Sequence, residues 1–421
     1  MIEPLASTML PDGVVVERLV SHPRLPLVAG VDAARPAVHV WRWESAGLTH
    51  VATVGEDADA YGDAFGWDRM RLVPSAAWHP ERALLVVNGL GGLVLWEPDG
   101  VTTPGWAMPL ADADAAGGDV AFTPDGATLL VSGYDTATTV CLATGAIGST
   151  LGWDTGFAVW PGGRLALSYI SDQGATHGLF TRIEPATGQR SIVDRALLLD
   201  VDGYETPVVS PDGRYFAIRG NAYAQTLQVF EMPGLQLVLS STLMDESPDF
   251  PYPPEWLSEL HSWSRHNIAF GDLDTVWVGT PHGTLVALDV TRAEGITYEL
   301  PGSAPVTALA GGTGGVLVVA TGTGRLHLFP DGSGRTAAPS WDATTTDAVQ
   351  GFLTTTADVP DDAVGGDCDL DELLERLTTT DGVNVWQPGD MDQITEVDDT
   401  APTWLKIHAF MKTGLGKDSE P

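Results

Sequence analysis

The residues best suited to chemistry in this chain are carboxylates, imidazoles and aromatic rings, and they gather in a few places. Asp202, Glu205, His261, His266 and His282 supply an acid–base repertoire in the middle of the sequence. Acid–base catalysis needs such groups within hydrogen-bond reach, and the linear spacing of these five marks no set. Asp57, Asp59, Gly62 and Asp68 occupy relative positions 1, 3, 6 and 12 of a calcium-loop spacing. Position 5 is Tyr61, however, and no helical pattern flanks the segment, so no metal site is expected there. No nucleophile elbow, phosphate loop or His-Glu-x-x-His motif occurs. Cys141 and Cys368 make neither a disulfide framework nor a ligand spacing. His22 and His79 each precede a proline and read as turn residues. The expectation is no catalytic set, no metal and no cofactor.

Two segments combine carboxylates with large rings. Residues 55–68 contain Tyr61, Phe65 and Trp67, and residues 244–263 contain Phe250, Tyr252, Trp256 and Trp263. Aromatic anchors within a polar rim are what recognition surfaces use. These seven residues are therefore the candidate partner-binding set. The competing reading has the same rings folding their loops down onto the core.

The charge balance narrows the partner class. With 56 acidic against 21 basic residues, the formal net charge is −35. Such a surface repels phosphate backbones and anionic headgroups, which argues against nucleic acid and membrane. A protein partner, basic in character, fits better; the acidity also serves solubility by itself. Lysine occurs only at Lys406, Lys412 and Lys417. No apolar run approaches the ~18 residues of a membrane span, and the first residues lack the pattern of a signal peptide. A soluble, cytoplasmic chain is expected.

The elements that must position these residues form a repeat. Its clearest copy is Val120-Ala-Phe-Thr-Pro124-Asp-Gly126, then Thr128-Leu-Leu-Val-Ser-Gly133, then Thr139-Val-Cys-Leu-Ala-Thr-Gly145. An echo runs through Pro207-Val-Val-Ser-Pro211-Asp-Gly213, Arg214-Tyr-Phe-Ala-Ile218 and Leu227-Gln-Val-Phe-Glu231. Proline presets the first turn position and glycine accepts a positive φ, so Pro-Asp-Gly closes a tight hairpin. Equivalent first-turn anchors fall at 23, 80, 124, 161, 211, 271 and 312. The shorter gaps match the ~40–45 residues of a four-stranded propeller blade. The two longest hold the two acidic–aromatic segments, each between the last strand of one blade and the first of the next. Links of that kind share one face.

The phrase resembles the WD40 and related bacterial propeller repeats over roughly residues 14–335. The match is to the apolar skeleton and turn, as in Phe122-Thr-Pro-Asp-Gly126. The Gly-His start and terminal Trp-Asp of that family are missing, and Leu95-Trp-Glu97 and Leu288-Asp289 are the nearest equivalents. The resemblance implies an all-β, seven-bladed propeller of four-stranded blades and a scaffold or sensor that binds proteins. The alternative is a propeller hydrolase or lactonase, since some propellers of that kind hold catalytic groups at one channel mouth. The division expected is a propeller at 1–335, a linker at 336–366 and an acidic C-terminal extension at 367–421. About two helices are predicted in the extension, at Asp369–Leu377 and Thr403–Met411, both with leucine or aromatic residues at helical spacing. Closure of the seventh blade falls to Ile2–Leu10 or to Arg335–Trp341.

Overall fold

A computed structural model describes the chain apart from residues 1, 45–46, 90, 106–117, 124, 133–135, 152–154, 173–174, 185–188, 201–202, 222–224, 246–247, 249, 332–346, 361–369, 395, 399–400 and 416–421. Alternating apolar runs separated by tight turns build seven sheets whose four blade strands are antiparallel and follow chain order outward, except that the N-terminal strand is the fourth of the last blade. These are the seven blades. Their innermost strands are Val16–Ser21, Ser75–Trp78, Val120–Phe122, Thr155–Val159, Val208–Val209, Ile268–Phe270 and Val306–Gly312.

The repeated phrase closes the same hairpin in blades three and five. Gly126 N–H donates to Thr123 O at 2.8 Å, and Gly213 N–H to Ser210 O at 2.8 Å. Both glycines have a positive φ, 68° and 71°. The Thr123 and Ser210 hydroxyls each donate to the turn aspartate, Asp125 or Asp212, at 2.7 Å. In blade one the same duty falls to His22, whose Nδ1 accepts the Arg24 and Leu25 amides at 3.0 Å. His79 does this for Glu81 and Arg82 in blade two, at 3.1 Å each. Both histidines are turn residues.

Neighbouring blades bury their faces against one another. Blades one and two share Leu27, Val40, Trp78 and Trp96, and blades six and seven share Trp277, Leu309 and Phe329. Between blades three and four the corresponding cluster among the described residues is small: Leu130, Ala137 and the partly buried Phe157.

The N-terminal stretch closes the ring. Ala6–Met9 pairs antiparallel with Arg325–Pro330 as the fourth strand of blade seven, placing Ala6 opposite Leu328 and Met9 opposite Arg325. Leu10, 3 % exposed, then enters the core between blades seven and one.

Among the described residues, helices are few and lie outside the blades. Short helices α1 (Trp67–Met70) and α2 (Pro254–Ser262) sit in the two long insertions, and three more among the described residues follow the propeller. Residues 336–366, read from composition as a linker, contain α3 (Asp347–Thr354), which buries Val349, Phe352 and Leu353. Those three stand at i, i+3 and i+4, the spacing of one helix face. They join the core of blades four and five beside Phe180 and Phe230. Helices α4 (Leu370–Leu374) and α5 (Thr403–Leu415) match the two that the sequence predicts. Between them, Thr378–Thr380 pairs in parallel with the outer strand of blade four, Arg190–Leu199, and Val385–Trp386 adds a sixth strand.

Candidate functional site

In each blade the second-to-third turn and the link to the next blade emerge on one face. Both long insertions therefore crown the same end of the central channel, as their connection type requires. They also meet: Arg265, which ends the second insertion, points a guanidinium nitrogen at the Met70 sulfur of the first, 3.7 Å away. Together they line a cavity of about 450 Å³ at the channel mouth, the first contributing Arg69 and Met70 and the second His261 and Trp263.

The floor of this mouth is a cluster of charges drawn from many parts of the chain. Arg18, on the inner strand of blade one, pairs with Asp119 of blade three at 3.1 Å. Arg69 of the first insertion pairs with Glu17 at 2.5 Å and lies over the Tyr61 ring, 4.8 Å from its centroid. Arg265 pairs with Glu205 at 2.5 Å, and His266 Nδ1 stands 3.7 Å from the other Glu205 oxygen. Asn221 donates a further bond to Glu205 at 2.7 Å. Opposite charges in a partly dehydrated mouth hold one another in register far better than exposed pairs do.

Their titration follows from this packing. Burial pushes the Asp119 carboxyl up, but the Arg18 guanidinium more than reverses it, leaving Asp119 below the usual carboxylate range. Burial acts the same way on Glu205, and His266 and Arg265 together bring it below its ordinary value. Glu17 stays raised, because burial outweighs its Arg69 partner. Burial drives His266 down to about 4 against the pull of Glu205. Efficient general acid–base catalysis uses groups that titrate near the working pH. At neutral pH, Glu205 and His266 are instead fixed as carboxylate and neutral imidazole. The pair offers charge and hydrogen bonds rather than proton traffic.

The seven aromatic residues singled out in the sequence divide into two groups. Phe65 and Phe250 are 86 % and 83 % exposed, and Tyr252 is 41 % exposed. Phe250, Tyr252 and the half-buried Trp256 form a file, with ring centroids 5.8 and 5.2 Å apart. Tyr61 is buried beneath Arg69, and Trp263 packs on the core of blades five and six. Those two rings anchor their loops. Trp67 opens α1, and its side chain lies outside the described residues. Of the acid–base candidates, Glu205, His261 and His266 line the mouth, while His282 pairs at the surface with Glu259 at 3.2 Å. Asp202 lies outside the described residues. Among those described, no three His, Cys, Asp or Glu side chains converge as metal ligands, at 57–68 or elsewhere.

Glu17, Arg18, Arg69, Asp119 and Arg265 went unread in the sequence. One signal was available, because Glu17-Arg18 and Arg265-His266 put charge on or beside an inner strand in a chain with few basic residues.

No family model matches the sequence, and no curated protein matches it significantly. Among solved structures, the chain is similar to the β-propeller domain of Cps50 (Swd1) from Myceliophteria thermophila, with a TM-score of 0.51 and 11 % identity. The likeness covers 78 % of this chain and 99 % of that domain. It is a likeness of fold.

Proposed function

We propose that this WD40-type propeller is a cytoplasmic binding module that holds a protein partner on the insertion-bearing face. The observation that carries the reading is the meeting of the two insertions over one channel mouth; Phe65, Phe250 and Tyr252 are exposed on those same insertions. Exposed aromatic rings cost solubility, and their placement on a rigid, charged rim is the arrangement of an interaction surface. Tyr61 and Trp263 support the loops, Trp256 backs Tyr252, and Trp67 follows Phe65 by two residues in the sequence of the first insertion. The partner is basic: residues 55–74 and 244–263 carry ten carboxylates against Arg69 and Arg71.

A hydrolase or lactonase centred on Glu205 and His266 is the second reading, favoured by their 3.7 Å approach at the mouth. Their fixed charge states at neutral pH weigh against it.

Affinity purification from the native cells tests the binding reading. The wild type is compared with a Phe65→Ala/Phe250→Ala variant and with Arg24→Ala on the opposite face. A protein retained by wild type and Arg24→Ala, released by salt and lost by the rim variant, supports the proposal. Retention that is identical across all three sinks it.

A further inference from the structure

We propose that the channel mouth is a binding site for a carboxylate carrying an apolar group, the carboxylate seated between Arg18 and Arg265 and the apolar group in the shaft below. The argument is a count of donors and acceptors. Both Asp119 oxygens are engaged, one by Arg18 and the other by the Gly156 N–H at 2.9 Å. One Glu205 oxygen accepts from Arg265 and Asn221, and the other faces His266. Asp119 is thus fully engaged, while Glu205 Oε2, 3.7 Å from His266, and the second Glu17 oxygen keep open acceptor positions among the described residues. A guanidinium carries five N–H donors. Arg18 spends one nitrogen on Asp119, and Arg265 spends its Nε on Glu205 and one terminal nitrogen on the Met70 sulfur. The remaining donors of both have no partner among the described residues. The buried Thr307 hydroxyl, on the same lining, has none either. A mouth with donors in surplus is complementary to an acceptor, and a carboxylate meets guanidinium groups through short charge-assisted bonds.

The shaft gives the rest of the ligand. Arg18, Arg265 and His266 also line a second cavity of about 390 Å³ that runs down the axis. Its walls are mainly apolar, with Val20, Val208, Ile268, Phe270 and Leu309, but Ser21, His22, Arg219, Thr313 and Asp331 also line it. A donor collar above an apolar shaft selects a ligand with a charged head and a hydrocarbon body. A free small acid and the C-terminal end of a peptide both present that chemistry.

The site is local and runs against the global charge. The three guanidinium groups of the mouth balance Glu17, Asp119 and Glu205, in a chain whose net charge is −35. Long-range repulsion therefore slows and weakens arrival of an anion, and salt screens it. Affinity for the carboxylate should hold or rise as ionic strength increases from about 20 mM to about 300 mM, the opposite of a basic partner on the rim.

The probes are N-acetyl-phenylalanine, a hexapeptide ending in phenylalanine, and the C-terminal amide of each. Binding to the full chain is followed by calorimetry and by tryptophan fluorescence, since Trp263 lines the mouth. At least one free acid binds, and its amide binds about tenfold more weakly or worse, the loss expected when a charge-assisted pair is removed. Binding of the small acid identifies a small-molecule source, and binding of the hexapeptide alone identifies a chain terminus. Arg265→Gln, at a partly exposed position, lowers affinity by a similar factor, and Thr307→Val lowers it without touching any ion pair. Phe250→Ala leaves it unchanged, which separates this site from the rim. Equal binding of acid and amide, no binding of either acid, or an unaltered Arg265→Gln overturns the proposal.

Discussion

Replacing Phe352 by alanine tests whether the chain beyond the propeller is part of its core. Phe352 is fully buried on α3, with its ring 4.9 Å from Phe180 and the Arg195 guanidinium 5.6 Å from its centroid. Truncation removes roughly 150 Å² of buried apolar surface, about 4 kcal/mol at about 25 cal/mol per Å². Any cavity left behind adds to this, and Phe→Ala changes in cores total about 3–5 kcal/mol. An unfolding entropy of about 2.1 cal/mol/K per residue gives about 0.9 kcal/mol/K for this length, so Tm falls by about 4–5 °C. Thermal and urea unfolding followed by circular dichroism and tryptophan fluorescence measure it. Phe410→Ala is the control, since Phe410 is 75 % exposed on α5, and its change stays within about 0.5 kcal/mol. If Phe352→Ala melts at the wild-type temperature while the extension alone becomes protease-sensitive, α3 is a detachable cover and the core argument is refuted.

Other perturbations read other parts of the molecule. Cutting Phe65, Phe250 or Tyr252 to alanine leaves the melting curve in place and weakens partner capture by about 1–4 kcal/mol if they are hot spots, as a binding titration would show. His266 has a folded pKa of about 4 against an ordinary 6.5, so its contribution is present above 6.5 and lost as pH falls toward 4. Urea midpoints across that window should fall with acid, and His266→Gln should flatten the fall by an amount on the order of 2–3 kcal/mol; an unchanged slope would contradict the assignment. Gly126→Ala sets a Cβ against the His79 ring at a φ of 68° and should cost about 1–3 kcal/mol in chemical unfolding. Deleting residues 1–10 removes the fourth strand of blade seven, and gel filtration should show an expanded or aggregated chain.

The propeller was legible because its signals are local. Each first turn combines a short phrase with a residue whose backbone or side chain dictates the bend, Gly126 and Gly213 by their φ and His22 by its ring. The shared face of the two insertions follows from strand count alone. Local signals could not show that Thr378–Thr380 extends blade four, because that parallel pairing joins residues far apart in the chain. Helix α3 was hidden differently: its flanks are rich in Thr, Asp, Ala and Gly, and composition outweighed the three apolar positions at helical spacing. The charge cluster of the mouth is the extreme case. Arg18, Asp119, Glu205 and Arg265 come from different blades, so no window of sequence contains more than a fraction of it. Among the aromatic residues of the two loops, composition could not distinguish Tyr61 and Trp263, which are covered, from Phe65 and Phe250, which are not.

The pairing of Ala6–Met9 with Arg325–Pro330 also sets a timetable. Ala6–Met9 is synthesised some 320 residues ahead of its partner strand and stays unpaired until the last blade exists. At about 5–20 residues per second that wait lasts roughly 16–60 s on the ribosome. Throughout it, each newly finished blade leaves one apolar face uncovered, and the final contacts span nearly the whole ring. Closure between such distant segments is the slow kind of folding step, and the open edge is the kind of surface that recruits unwanted strands. The ten residues at the start of the chain thus act as a late latch: their sequence sets how long the nearly complete ring stays open to wrong partners.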